Sequence, residues 1–326
     1  MSPASRNNWR PGASIDVLKT RARVLQDIRA FFAAQHVCEV ETPVLSSAAV
    51  TDVNLHSFKT RYRQGDLYLH TSPEFFMKRL LAAGSGDIYQ ICKVFRDDED
   101  SRRHSPEFTL LEWYRIGFDH LQLMAELEQL VNQLSAFLAV NAIKQPANQI
   151  SYQQAFLQTL GVDPLPASVA ELENVAQQKN IDIPVGMESE KDMWLDWLML
   201  AAIAPAFAKD RLTFIYDYPV TQAALARVSA ADSRVAHRFE MYFGELELAN
   251  GFYELTDANE QRTRFAHDNQ QRLDKKLDAM PVDEDFLNAL AAGMPACSGV
   301  AVGVDRLLMV LLNKNNIADV LAFKVE

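Results

Sequence analysis

The sequence predicts an α+β fold, a mostly antiparallel sheet flanked by helices, and two observations carry that prediction. Strand-like runs come as adjacent pairs, "IYQICKVF" with "EFTLLEWYRI" and "RFEMYF" with "ELELANGFYEL", and not in regular βαβ alternation. No interior linker rich in Gly, Ser or Pro divides the 326 residues, and a 48% apolar composition can bury a large core. The expectation is therefore one domain over residues 1–326.

The elements follow in order. Ile15, Leu18, Ala22, Leu25, Ile28 and Phe32 recur at three- and four-residue steps, which predicts an amphipathic helix to Gln35. "VCEVETPVL" reads as a short strand stopped at Pro43, because proline lacks the donor that a sheet ladder needs. "LYLHTSPEFFMKRLLAAG" reads as a strand entering a helix, with Ser72 as N-cap, Pro73 at the first helical position and Gly84 as the stop. "IYQICKVF" and "EFTLLEWYRI" then form an antiparallel arm around a charged loop. Residues 120–140, 151–160 and 192–207 have helical character, and the turn-rich stretch 162–190 reads as a peripheral insertion. After a strand at "TFIYDYP" comes a hairpin turning near Gly244. Helices follow at "DANEQRTRFAHDNQQRLDKKL" and beyond Met280, and the chain closes with strand "CSGVAVGV" and helix "DRLLMVLLNK".

Composition narrows the function. A net charge of −11 biases the surface against nucleic acid. The N-terminal stretch has no apolar signal core and no run of eighteen apolar residues occurs, so the expectation is a cytoplasmic protein without a membrane span. Cys38, Cys92 and Cys297 are odd in number and far apart, which speaks against a disulfide framework or structural zinc and for small buried apolar residues.

Three stretches carry chemistry. In "EFTLLEWYRI" a period of two sets Phe108, Leu110, Glu112 and Tyr114 on one face, with Arg96 ending the preceding strand. Such a face can stack a flat base on Phe108, hold phosphate or carboxylate with Arg96, and offer Glu112 and Tyr114 to an ammonium group. Taken alone, it reads equally well as a solvated hairpin whose charges pair with each other. In "FEMYFGELELANGFYEL", Glu240, Glu247 and Glu254 sit among apolar neighbours, and buried carboxylates are costly unless they meet a cation. Beside phosphates that cation would be Mg²⁺; an edge hairpin with solvated glutamates is the alternative. Strand parity separates Glu247 from Glu254 unless a bulge at Asn250-Gly251 brings both inward. In "CSGVAVGVDRLLMV", Gly299, Ala301 and Gly303 strip one strand face so that a flat ligand can approach, and Arg306 can reach polyphosphate.

Together these segments resemble the three signatures of a class II aminoacyl-tRNA synthetase catalytic core, and specifically its lysine branch. "FFAAQHVCEVETPVL" stands for the first, "VFRDDEDSRRHSPEFTLLEWY" for the second and "GVAVGVDRLLMV" for the third, with "TSPEFFMKRLLAAG" and "ELANGFYELTDANEQ" as lysine-branch detail. The first signature begins almost at the start of the sequence, so the expectation is a core without the anticodon-binding domain that precedes it in lysyl-tRNA synthetases. The resemblance is therefore to the stand-alone paralogues that activate (R)-β-lysine with ATP and transfer it to a lysine side chain of elongation factor P. It implies a homodimer through the segment around Pro43, with tRNA not a partner.

By position the resemblance implies that Arg96 and Arg306 are catalytic. Asp97, Asp98, His104, Ser105, Phe108, Glu247, Leu248 and Gly303 join them around ATP. Ser72, Pro73, Glu74, Glu112, Tyr114, Asn250, Phe252, Glu254 and Ala301 would line the lysine pocket, and Glu240 and Glu247 would hold Mg²⁺. Three positions depart from the pattern. Asp98 stands in place of a glutamate that reads the adenine amine, and Ser105 in place of an asparagine. Ala301 stands where lysyl-tRNA synthetases have glycine, and its methyl would tilt choice toward the β-isomer. Two other readings stay open: lysine adenylation with tRNA or a small molecule as acceptor, and a silent dimeric regulatory paralogue. The intact reactive set weighs against the second.

Overall fold

The computed structural model describes residues 9–97, 100–139, 143–187 and 190–325. The N-terminal half runs α1 (Ile15–Ala34), β1 (Cys38–Glu39), β2 (Leu45–Ser46), β3 (Lys59–Tyr62), β4 (Gly65–Leu69), α2 (Glu74–Ala82), β5 (Ile88–Phe95), β6 (Glu107–Ile116) and α3 (His120–Phe137). There follow β7 (Asn148–Ser151), α4 (Tyr152–Leu160), α5 (Val169–Gln178), α6 (Lys191–Leu198), β8 (Leu212–Pro219), β9 (Val235–Phe243), β10 (Leu246–Tyr253), α7 (Ala258–Asp274), α8 (Glu284–Gly293), β11 (Cys297–Gly303) and α9 (Val304–Leu311).

Among the described residues one eight-stranded sheet dominates, in the order β1-β5-β6-β11-β10-β9-β8-β7. Only its outer pairs, β1 with β5 and β7 with β8, run parallel. This is the mostly antiparallel α+β architecture that the paired strand runs predict. A small antiparallel sheet, β2-β4-β3, stands apart. The strand read in "VCEVETPVL" ends before Pro43, at Glu39, and beyond the proline Leu45 opens β2 of this second sheet. Neither β3 nor β7 was expected, both being short and largely exposed and so without a buried face to set a pattern.

One face of the large sheet is closed by α1, α3 and α9. Phe32, Leu111, Trp113, Leu127, Phe239, Met241, Val300, Val302 and Leu308 meet there, all but fully buried. Buried Asp305 at the start of α9 fastens these layers. It pairs with Arg21 of α1 at 2.5 Å and accepts the Thr109 amide of β6 at 2.7 Å. The opposite sheet face carries the cleft.

Several ends differ from expectation. Pro73, not Ser72, is the N-cap of α2; the Ser72 hydroxyl accepts the Glu74 amide at 3.4 Å. Gly84 does stop the helix, at φ +86°. The helical stretch from 192 widens into a π turn at Met199–Ile203 and tightens at Ala204–Ala206, where Pro205 has no amide to donate. Within 162–190, α5 begins at a capping box on Ser168 and buries Leu172 and Ala176 against α4 and α6. Of the three cysteines, Cys297 is buried as expected, but Cys38 is exposed and Cys92 half-buried.

Candidate active site

Strand register assembles the site in two cross-strand rows. Glu240 of β9 lies opposite Asn250 of β10, which pairs with Ala301 of β11, which pairs with Glu112 of β6. Beside them run Arg238, Phe252, Gly299 and Tyr114. Both rows face the same side, away from α1 and α3, and floor a cavity of about 1030 Å³. Glu247 reaches this face through a β-bulge. The β9–β10 register shifts between Glu247 and Ala249, so Leu248 is the extra residue. The expected bulge is real but lies at Leu248, not at Asn250-Gly251. Gly251 is glycine for another reason: on the opposite face, a Cβ there would stand 2.4 Å from the Phe239 ring.

At one end of the cavity three carboxylates crowd around one ammonium. Lys78, from the second turn of α2, is 1% exposed, and its Nζ lies 2.6 Å from both Glu74 and Glu254. Burial alone would strip its proton; the carboxylates of Glu254 and Glu74 outweigh that and hold its pKa above the ordinary lysine value. Glu112, 3% exposed, accepts the Tyr114 hydroxyl at 2.6 Å, and its other oxygen has no hydrogen-bond partner. Burial first, and then the charge of Glu74, push its pKa up to about 8. Burial likewise lifts Glu254 to about 8, with Lys78 opposing. Asn250 also turns an unpartnered carbonyl oxygen into this region. Acceptors in excess of donors make this end a receptor for ammonium groups.

The other end is cationic. The Arg96 guanidinium sits over the Phe108 ring, 5.1 Å from its centroid. Arg306, near the start of α9, bonds the Glu247 carbonyl at 3.1 Å and His104 Nε2 at 2.5 Å, and stands 3.7 Å from the Glu247 carboxylate. Between the two ends, Glu240 accepts from Arg238 and from the Tyr242 hydroxyl, both at 2.5 Å. The cleft walls desolvate Glu247 and Glu240 adds repulsion, so its pKa rises to about 7. The Glu247 side chain is nevertheless 41% exposed toward the cavity. Two carboxylates that repel each other beside two arginines form an oxygen-only donor set suited to Mg²⁺, each Glu240 oxygen keeping a free lone pair.

Arg96, His104, Ser105, Phe108, Leu248, Gly303 and Arg306 line this one cavity with Ser72, Glu74, Glu112, Tyr114, Phe252, Glu254 and Ala301. Pro73 and Asp97 do not; Asp97 is exposed and bridges to the His56 backbone. Asp98 lies outside the described residues. Ser105 is buried with an unpartnered hydroxyl. A Cβ at Gly303 would meet only ordinary contacts, with Arg306 and the Leu248 carbonyl at 3.9 Å. At Gly299 the space of the missing side chain is instead taken by Tyr114 and Glu254, whose atoms would stand 2.3 and 2.5 Å from a Cβ. Two site residues were missed. Lys78 stands four residues after Glu74, an ordinary surface spacing for an ion pair, and Arg238 stands two before Glu240 on the same strand face.

A fold of this kind, with cationic and anionic ends meeting over an antiparallel sheet, defines a class. The family model for tRNA synthetases class II (D, K and N) matches residues 8–326, and the chain belongs to that family. Among curated relatives, proteins from Salmonella typhi and Salmonella heidelberg are each 48% identical over 324 residues, 98% of either chain. Both are named elongation factor P–(R)-beta-lysine ligase.

Proposed function

We propose that this chain is an ATP-dependent ligase that activates lysine, (R)-β-lysine in particular, as an aminoacyl-adenylate and transfers it to a lysine side chain of elongation factor P. The observation that carries the reading is one cavity with Arg96 and Arg306 at one end and Glu74, Glu112 and Glu254 at the other. The relatives' names supply the acceptor and the β-isomer.

In this reading Phe108 stacks adenine, and Arg96 and Arg306 hold phosphates. The acidic end fixes the substrate's ammonium groups, so its carboxylate points at the α-phosphorus. Attack by that carboxylate oxygen releases pyrophosphate; the neutral acceptor amine then attacks the adenylate carbonyl, the amide bond forms, AMP leaves with the electrons of the broken acyl–oxygen bond, and the amine's proton passes to solvent. Positioning and charge neutralisation do most of this work. Mg²⁺, held by Glu240 and Glu247, would neutralise phosphate charge. Arg238 and Tyr242 fix the Glu240 carboxylate, so it would be offered as an oriented ligand.

Lysine-dependent ATP–pyrophosphate exchange, run with α- and β-lysine, tests the first half. Exchange with neither would refute the enzyme reading. Labelled lysine offered to elongation factor P and to tRNA side by side tests the second; charging of tRNA alone would replace the acceptor. The reading includes a homodimer through the segment around Pro43, where Leu45 is 42% exposed. Sedimentation showing a monomer at assay concentration would remove that part. No helix among the described residues is long and apolar enough to cross a membrane.

A further inference from the structure

On the sheet face turned away from the cleft, three side chains from separate elements meet. His120 is the first residue of α3, Asp217 belongs to β8 and His237 to β9. Asp217 Oδ1 lies 3.1 Å from His237 Nδ1 and 3.6 Å from His120 Nε2, and the two imidazoles stack with centroids 4.5 Å apart. We propose that His120, Asp217 and His237 bind a divalent transition-metal ion of the Zn²⁺ type, at a site separate from the cleft and independent of its chemistry.

Geometry favours this. The three candidate ligand atoms lie within 4.8 Å of one another. In a tetrahedral zinc site with bonds of about 2.0–2.1 Å, ligand atoms stand roughly 3.4 Å apart. The two measured contacts already fall on either side of that spacing. The His237 ring, 23% exposed against 7% for His120, is the less enclosed of the two imidazoles and the one to shift in closing what remains.

His120 itself is poorly served by protein. It is 6% exposed, yet its Nδ1 has no hydrogen-bond partner and its Nε2 stands beyond hydrogen-bond reach of Asp217. A buried imidazole with neither nitrogen well bonded is a ligand waiting for an acceptor of its lone pair. The backbone is shaped around the cluster as well. The β8–β9 register shifts between Tyr216 and Tyr218, and Asp217, inside that shift, adopts φ +57°. A left-handed conformation is uncommon outside glycine and is tolerated best by Asn and Asp. Here it turns the carboxylate of Asp217 to the two imidazoles.

Two imidazoles and one carboxylate select borderline transition metals over Mg²⁺, which keeps to oxygen. Asp217 is 30% exposed, so water can complete the coordination. The bound ion would tie the first turn of α3 to the β8–β9 edge. The sequence carries no trace of the site, because His120 and Asp217 stand 97 positions apart and no ligand spacing recurs.

Titration of the metal-free protein with Co²⁺, in excess Mg²⁺ to occupy oxygen-only sites, tests the proposal. One equivalent should bind with the visible absorption of a low-coordinate nitrogen and oxygen site, and Zn²⁺ should displace it. Asp217→Asn keeps the left-handed backbone, and His237→Gln keeps bulk. Losing a ligand should weaken binding by more than the roughly 10–100-fold that follows loss of a ligand's own partner. Glu247→Gln, in the cleft, should leave the Co²⁺ spectrum unchanged. The proposal is overturned if no saturable one-equivalent binding occurs, or if binding survives both His237→Gln and Asp217→Asn.

Discussion

Replacing Glu112 with glutamine should stabilise the protein while impairing its chemistry. Glu112 lies 3% exposed among Glu74, Glu254 and Lys78, and its pKa rises from an ordinary 4.5 to about 8. Below pH 4.5 the carboxyl is neutral in both folded and unfolded chains. Between 4.5 and about 8 it stays protonated when folded but ionises on unfolding, so stability falls as pH rises through that window. Each tenfold in proton affinity is worth about 1.4 kcal/mol, which sets a ceiling of about 5 kcal/mol above pH 8 and about 3 kcal/mol at pH 7. Relaxation and water entry reduce such figures, leaving roughly 1–3 kcal/mol to be recovered. Glutamine matches the shape, keeps an acceptor for the Tyr114 hydroxyl and adds a donor toward the neighbouring carboxylates. At roughly 1–3 °C per kcal/mol for a chain of this size, Tm should rise by a few degrees at pH 8 and by little at pH 5. Thermal unfolding by circular dichroism at both pH values measures this, and exchange kinetics should show a raised KM for lysine. A Tm that falls at pH 8, or a gain equal at both pH values, would refute the assignment of Glu112 as a protonated, crowded carboxyl.

Lys78→Met leaves Glu74 and Glu254 without their cation and should cost about 3–5 kcal/mol in denaturant unfolding, the range for a broken buried pair, with the loss shrinking at low pH as the carboxyls protonate. Gly251→Ala sets a methyl 2.4 Å from the Phe239 ring and should cost about 1–3 kcal/mol by overpacking; an unchanged unfolding midpoint would mean that the sheet yields there. Ala301→Gly enlarges the pocket floor and should move the α/β-lysine preference in pyrophosphate exchange by about 1–3 kcal/mol, and no movement would mean that the methyl is not the selector. Lysine binding should tighten as pH rises through 7 to 8, because Glu112 and Glu254, both lifted to about 8, must shed protons to meet ammonium groups. Calorimetry in buffers of different ionisation enthalpy should then detect proton release at pH 7 and little at pH 9.

Local rules made much of this molecule readable. Helical spacing placed α1 to its last turn, and the two strand-like runs marked β5 and β6 as an antiparallel arm, whose observed register sets Ile88 opposite Tyr114 and Phe95 opposite Glu107. Alternation put Phe108, Leu110, Glu112 and Tyr114 on one face, and all four line the cleft. What escaped depends on pairing between distant strands. The bulge at Leu248 has no glycine to mark it, and it shows only in the pairing with β9, whose register moves by one residue between Glu247 and Ala249. Asn250-Gly251 looked like the bulge, yet Gly251 answers the Phe239 ring across the strand pair. Lys78 was hidden by its own helix: an i,i+4 pair with Glu74 is common on surfaces, and only α2 packing over Glu254 buries it.

The acidic end is costly to fold, and in the proposed function that cost would set its selectivity. Glu74, Glu112 and Glu254 share one resident cation, Lys78, so full ionisation would leave two uncompensated charges in a nearly dry pocket. The raised pKa values of Glu112 and Glu254 mean that, without substrate, the pocket meets this excess by holding protons. A ligand with two ammonium groups can replace those protons and satisfy the open acceptors on Glu112 and Asn250, whereas a monoamino acid leaves one carboxyl protonated and its acceptors unmet. In the proposed function, charge would therefore select a diamino acid of either isomer. Distinguishing α- from β-lysine falls to shape, because both carry the same charge. On the pocket floor, Ala301 places a methyl between Asn250 and Glu112, within the row where a shifted amino group would meet the sheet.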